Sequence, residues 1–198
     1  MFLFTASLGL MSNTYSRYVA SAKSDINVTF SKWQILLNNE DITQSSDSSI
    51  NITPVIEENE NIASNTLAPS SKGYFDIEID PSNVDLSFKY TVELSINNEF
   101  IPDVMITKYS IIPETHIDGE EIEVISLEET SIVNALFYDN NVDEFSFEPF
   151  TIRIYFQWYE GENETMLDED DTEIGLLATT EELTLEMSAE ISFEQIID

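Results

Sequence analysis

The strongest constraint on this chain is an unbroken alternation between residues 84 and 96. Val84, Leu86, Phe88, Tyr90, Val92, Leu94 and Ile96 occupy every second position, separated by Asp85, Ser87, Lys89, Thr91, Glu93 and Ser95. A helix would scatter these seven side chains around its circumference, whereas an extended strand puts them all on one side. The expected strand 84–96 buries one face and wets the other, as strands of an antiparallel sandwich do. Burying the seven side chains gives a gross gain of roughly 10–20 kcal/mol before conformational entropy is subtracted.

The same period of two recurs along most of the chain. Ile26, Val28 and Phe30 alternate, then the phase slips to Trp33, Ile35 and Leu37, which predicts a β-bulge near Ser31-Lys32. Asn38-Asn39-Glu40-Asp41 reads as a turn, and Ile50 to Ile56 as an edge strand because it contains Pro54. Residues 67–73 form a turn that launches Phe75, Ile77 and Ile79, and Pro81-Ser82-Asn83 breaks that run. Further strands are expected at 104–112, 122–127, 150–158 and 183–193. His116 to Glu120 reads as a hairpin turn marked by Asp118-Gly119, 128–137 as a short helix, and the acidic stretch 160–173 as a loop. No strand–helix–strand alternation suggests a parallel sheet. The reading is therefore all-β: an antiparallel β-sandwich with long acidic loops and at most a short helix, one domain over residues 23–198.

Charge narrows the function classes. Seven Lys+Arg against 39 Asp+Glu give a formal net charge of −32 over 198 residues. Binding a phosphate backbone requires clustered cations, so nucleic acid is excluded as a partner, and anionic lipid surfaces repel such a chain. An acidic, solvated surface is expected. Cysteine is absent, which removes disulfides, thiol catalysis and zinc ribbons.

Chemistry finds little to stand on, and the chain reads as a non-enzyme. His116 is the only histidine, so any catalytic triad or histidine metal site must use it. It sits beside the Asp118-Gly119 turn, where exposure is the simpler reading. Asp168, Asp170 and Asp171 form the densest cluster of oxygen ligands. Calcium is the one cation they suit, but the turn glycine of an EF-hand is missing and a solvated acidic loop is the better reading. No other cofactor is expected. Trp33, Trp158 and Tyr159 could stack on sugars, but both tryptophans lie in phase with core positions. Asn27, Asn51 and Asn163 begin glycosylation sequons, a pattern common by chance.

Residues 1–22 read as a leader and N-terminal segment. Met1 to Met11 is apolar, too short to span a bilayer and similar to the hydrophobic region of a signal peptide. Ala20-Ser21-Ala22 suits a cleavage site, and a cut near Ser12 also fits. Secretion without a stable membrane anchor follows as the expectation, at the cell surface or in the extracellular matrix.

Three stretches resemble one known group. They are Thr14-Tyr15-Ser16-Arg17-Tyr18 after the leader, Lys32-Trp33-Gln34-Ile35 with Asn38 to Thr43, and Leu67-Ala68-Pro69-Ser70-Ser71-Lys72-Gly73 running into Tyr74 to Asp80 and Val84 to Tyr90. Across residues 1–100 the chain is similar to the TasA/camelysin-like secreted proteins of Firmicutes, biofilm-matrix fibre proteins with SipW-type signal peptides. Pro69-Ser70 stands where the usual turn of that group is Pro-Gly. The resemblance implies a jelly-roll sandwich that assembles into extracellular fibres by donating its N-terminal segment to the next subunit. Asn13 to about Asp25 would be the donor, with Tyr15, Tyr18 and Ala20 as pocket-filling candidates. The partner would be the same chain, in a homopolymer that other matrix components could join. A monomeric cell-surface carbohydrate- or ligand-binding module is the alternative, followed by a virion component.

Overall fold

The computed structural model describes residues 29–43, 52–97, 101, 103–160, 168–181 and 183–197. Among these residues the alternating segments form ten strands. They are β1 (Trp33–Leu37), β2 (Glu40–Asp41), β3 (Val55–Ile56), β4 (Lys72–Val84), β5 (Phe88–Asn97), β6 (Val104–Pro113), β7 (Ile125–Ser126), β8 (Ser131–Leu136), β9 (Phe150–Trp158) and β10 (Glu186–Gln195). One helix, α1, covers Asp168–Leu177. Every strand pairing is antiparallel.

The strands form two sheets. The larger has the order β2-β1-β4-β9-β6-β7, with β3 also paired to β4. The smaller has the order β10-β5-β8. The inward faces meet in one core, with Ile35, Phe75, Ile77, Ile79, Ile152 and Ile154 from the first sheet against Phe88, Tyr90, Val92, Leu94 and Ile132 from the second. The all-β antiparallel sandwich expected from the alternation is thus present. Residues 31–198 cluster as one unit.

Turns follow their residue chemistry. Asn38 and Asn39 both have positive φ, 46° and 67°, and join β1 to β2 as a two-residue hairpin, a conformation asparagine tolerates. Ala68 to Ser71 closes with a 2.9 Å backbone bond, with Pro69 second and Ser70 third at φ 71°. That is a type II turn, whose third position favours glycine. Gly73, next along, is required by space. A Cβ there would lie 2.5 Å from the Phe156 ring and 2.7 Å from the Val55 carbonyl oxygen.

Several expectations are corrected. The run 84–96 is not one strand. β4 ends at Val84, β5 begins at Phe88, and residues 85–87 carry the chain from one sheet to the other. The crossing is held by Lys32 N–H to Asp85 Oδ2 (3.0 Å), Asp85 N–H to the Lys32 carbonyl (3.1 Å) and Ile196 N–H to the Ser87 carbonyl (3.0 Å). Pro81 does not break β4. Pairing with β9 ends at Ile79, and the pairing with β1 shifts register alongside, so the missing N–H removes no ladder bond there. That shift lies between Gln34 and Leu36 of β1, beyond the expected Ser31-Lys32; residues 26–28 are outside the described set. Residues 128–137 hold β8 where a short helix was expected, because Ile132, Asn134 and Leu136 complete the second sheet against β5. The stretch expected as an acidic loop instead contains α1, while β7 is only two residues long.

Candidate functional site

The expected site residues do not converge. Tyr15, Tyr18 and Ala20, the leader and the three sequon asparagines lie outside the described residues. Asp168, Asp170 and Asp171 fall on α1, where Asp171 Oδ1 accepts the indole N–H of Trp158 at 3.1 Å. Among the described residues no group of three or more His, Asp or Glu side chains is placed to hold a metal ion. His116 is half-buried, not exposed as its turn suggested, and its backbone N–H bonds the Pro113 carbonyl at 3.0 Å. Trp158 is core, as its phase indicated. Trp33 is 36% exposed and packs edge-on against Phe88.

On the wet face of the first sheet Arg153 is fully engaged. Its Nε and a terminal nitrogen donate to the two oxygens of Asp76 at 2.8 and 2.7 Å, and its guanidinium lies 4.0 Å from the Tyr74 ring centre. The hydrogen bonds to Asp76 raise its pKa above the ordinary value, so it stays charged.

The feature that stands out is the edge made by β10. It pairs with β5 over all ten residues, Glu186 opposite Asn97 through Gln195 opposite Phe88. The Ile196 N–H bonds the carbonyl of Ser87, directly opposite in the same register. Opposed residues alternate between bonded and non-bonded pairs. The even-numbered residues of β10 therefore bond to β5, and Met187, Ala189, Ile191, Phe193 and Gln195 aim their N–H and C=O groups away from the sheet. Among the described residues no strand pairs with that side.

Other edges are short or blunted. β2 and β3 have two residues each. β8 has six, and its Ala135 N–H is taken by the Asn134 side chain at 2.9 Å. β6 is interrupted by a register shift between Ile106 and Lys108 and is partly covered by β7. A long regular edge is a template for strand addition, which proteins ordinarily suppress.

Beside this edge the sandwich gapes. A cavity of about 530 Å³ is bounded by Ile52, Pro54 and Phe75 on one wall and Leu185 to Ala189 on the other. A second, of about 540 Å³, continues under α1 to Trp158 and Ile174. The two share Pro54, Leu185 and Met187 and so form one groove. Inward-facing Met187, Ala189, Ile191 and Phe193 pack on the core but stay only half-buried.

The outward face of β10 is acidic: Glu186, Glu190 and Glu194 alternate with Ser188 and Ser192. Glu194 pairs with Lys89 at 2.7 Å, and that hydrogen bond holds its carboxyl below the ordinary pKa. Glu190 lies directly opposite Glu93, a like-charge pair that opposes stability. Pattern reasoning found β10 but not that it is an edge. The signal was its wet face, since charged side chains commonly guard exposed edges.

No family model matches this chain. No curated protein matches it either. Among the described residues, fold and site define an all-β antiparallel sandwich with one long open edge and a groove beside it.

Proposed function

We propose that this protein is a secreted structural subunit of extracellular fibres or biofilm matrix, assembling by addition of an N-terminal donor strand to the next copy. The observation that carries the reading is the ten-residue outer edge of β10, which no strand among the described residues pairs, beside a groove of mixed lining. Strand addition uses backbone hydrogen bonds for affinity and alternate side chains for register. A head-to-tail contact of this kind does not close on itself and yields open filaments. The jelly-roll connectivity and the secreted location implied by the resemblance belong to the same reading. No described helix is long and apolar enough to cross a membrane.

At −32 the subunits repel one another. Acid or divalent cations relieve that repulsion. The test is negative-stain electron microscopy of the mature chain at neutral pH, at acid pH and with added calcium. Filaments on acidification or with calcium support the reading. Particles that stay monomeric throughout overturn it. A monomeric carbohydrate-binding module is less well supported, because Trp158 is buried and its indole N–H is already bonded to Asp171.

A further inference from the structure

We infer that the acidic wet face of the β10-β5-β8 sheet docks a second copy of this chain, which meets it with the wet face of β4, β9 and β6. The contact stacks sandwiches side to side and does not require strand addition.

The two outer faces of the sandwich differ in charge. Register places Lys72 of β4 beside Gln157 of β9, Lys108 of β6 beside Tyr155, and Arg153 between Ser110 and Asp76. Lys32, Lys72, Lys89, Lys108 and Arg153 are the basic residues described, and three of them lie on this one face. Asp76 is the acid in those rows, and Arg153 holds it at 2.7 Å. Lys72 and Lys108 are exposed, and among the described residues neither has an ion-pair partner. Glu57, whose N–H bonds the Lys72 carbonyl, stands at the rim. On a chain of net charge −32, this is the described surface where positive charge gathers.

The opposite face has the reverse character. Glu190 lies directly opposite Glu93, and Glu186 follows four residues along β10. Lys89 is the base of this face, and Glu194 takes it at 2.7 Å. The side chains between the glutamates are short: Ser95 and Ser188 bond each other at 2.7 Å, and Ser192 sits opposite Thr91. Such a face lets a second sheet approach closely and leaves Glu186, Glu190 and Glu93 without a cation among the described residues.

Spacing matches charge. Lys72 and Lys108 lie two strands and two residues apart, about 12 Å, and Glu186 and Glu190 lie four residues apart, about 13 Å. Both lysines of one copy therefore reach a carboxylate of the other at once. Half-buried Tyr74 and Tyr155 add apolar surface to one face, and exposed Val133 adds it to the other. Like faces repel and unlike faces attract, so the contact is heterologous and repeats as an open stack. Strands of ten, ten and six residues present about 400 Å². A stable complex buries roughly 800 Å² per partner. The contact is thus weak singly and holds by repetition between copies already aligned.

Zero-length carbodiimide coupling of the full chain, with isotopically light and heavy protein mixed at high concentration, tests the contact. Bonds between copies are expected from Lys72 or Lys108 to Glu186, Glu190 or Glu93. Charge reversal, read as self-association by light scattering, is the second arm. All four positions to be reversed are exposed, so the fold is retained. Lys72→Glu with Lys108→Glu, and separately Glu186→Lys with Glu190→Lys, should each weaken association about tenfold, through the loss of two exposed ion pairs. The glutamate variant is the sharper of the two, because its lower net charge would by itself strengthen association. Mixing the two variants should restore association. So should the chain with all four substitutions, which keeps the net charge of −32.

Association that follows net charge alone, rising in the glutamate variant and unrestored in the mixture, overturns the inference. So do couplings of Lys72 and Lys108 that scatter over other carboxylates or stay within one chain, and so does unmodified protein that yields no coupling between copies. None of these results touches strand addition, which filament formation tests separately.

Discussion

β9 and β10 look alike in sequence and behave differently in the fold. Both alternate without fault, Phe150-Ile152-Ile154-Phe156-Trp158 in one and Met187-Ala189-Ile191-Phe193 in the other. β9 is paired on both sides, by β4 and β6, and its five apolar residues are all buried, Ile152 and Ile154 completely. Among the described residues β10 is paired on one side only, and its inward face stays half-buried. Their wet faces differ too: Thr151, Arg153, Tyr155 and Gln157 carry no acid, whereas β10 shows a glutamate at every second outward position. Period two reveals which face is buried; it is silent on how many neighbours a strand has.

The largest expected effect breaks the symmetry between the two strands. Ile152→Ala should cost about 4 kcal/mol and Ile191→Ala about 1–2 kcal/mol, since the cavity left at the first site cannot be relieved by solvent. Urea unfolding with matched slopes measures both, and equal losses would mean that β10 is as enclosed as β9.

Next, Gly73→Ala tests how tightly β4 and β9 are seated. The new methyl meets the Phe156 ring and the Val55 carbonyl, and overpacking of that kind costs about 2 kcal/mol. A neutral result in the same unfolding assay would show that β3 moves freely away from β4.

The second sheet contributes a smaller, pH-dependent effect. Burial raises the Tyr90 pKa above its ordinary 10.0, outweighing the opposing hydrogen bond that its hydroxyl oxygen accepts from Asn134. The folded state therefore holds the phenol proton in a range where the unfolded chain releases it. Stability is fully present below pH 10 and declines as pH rises through the folded value. Tyr90→Phe should cost about 1 kcal/mol at neutral pH and flatten that alkaline decline, followed by circular dichroism against pH. An unchanged decline would assign it to other groups.

The smallest effect is expected where a side chain occupies a glycine conformation. Ser70→Gly relieves the positive φ but gives up the Ser70 hydroxyl contact with Glu160. A net gain of about 0.5 kcal/mol is expected, read as a slightly higher melting temperature.

Much of the fold was legible because it rests on local chemistry. Paired asparagines announce a tight hairpin, and alternation fixes the faces of β4, β5, β9 and β10. The hand-over at residues 85–87 was hidden because Val84 and Phe88 face the same core from opposite sheets, so the phase never slips. Helix α1 was hidden because its first turns are acidic and Ile174 is the residue that joins the cluster around Trp158, too few apolar positions to show a period of 3.6. β8 was mistaken for a helix because Ile132, Val133, Leu136 and Phe137 satisfy helical spacing as well as strand spacing, and only pairing with β5 decides. Of the candidate site, the proposed donor rests on resemblance and lies outside the described residues, whereas the edge and its groove arise from pairing between segments far apart in the chain.

The account depends on β10 having one satisfied and one open side, and residue-resolved amide hydrogen exchange tests this most directly. In the monomer the N–H groups of Glu186, Ser188, Glu190, Ser192 and Glu194 should exchange slowly and those of Met187, Ala189, Ile191 and Phe193 quickly, with the second set becoming protected on assembly. Uniform protection in the monomer, or an odd-numbered set that stays fast in the filament, would contradict it.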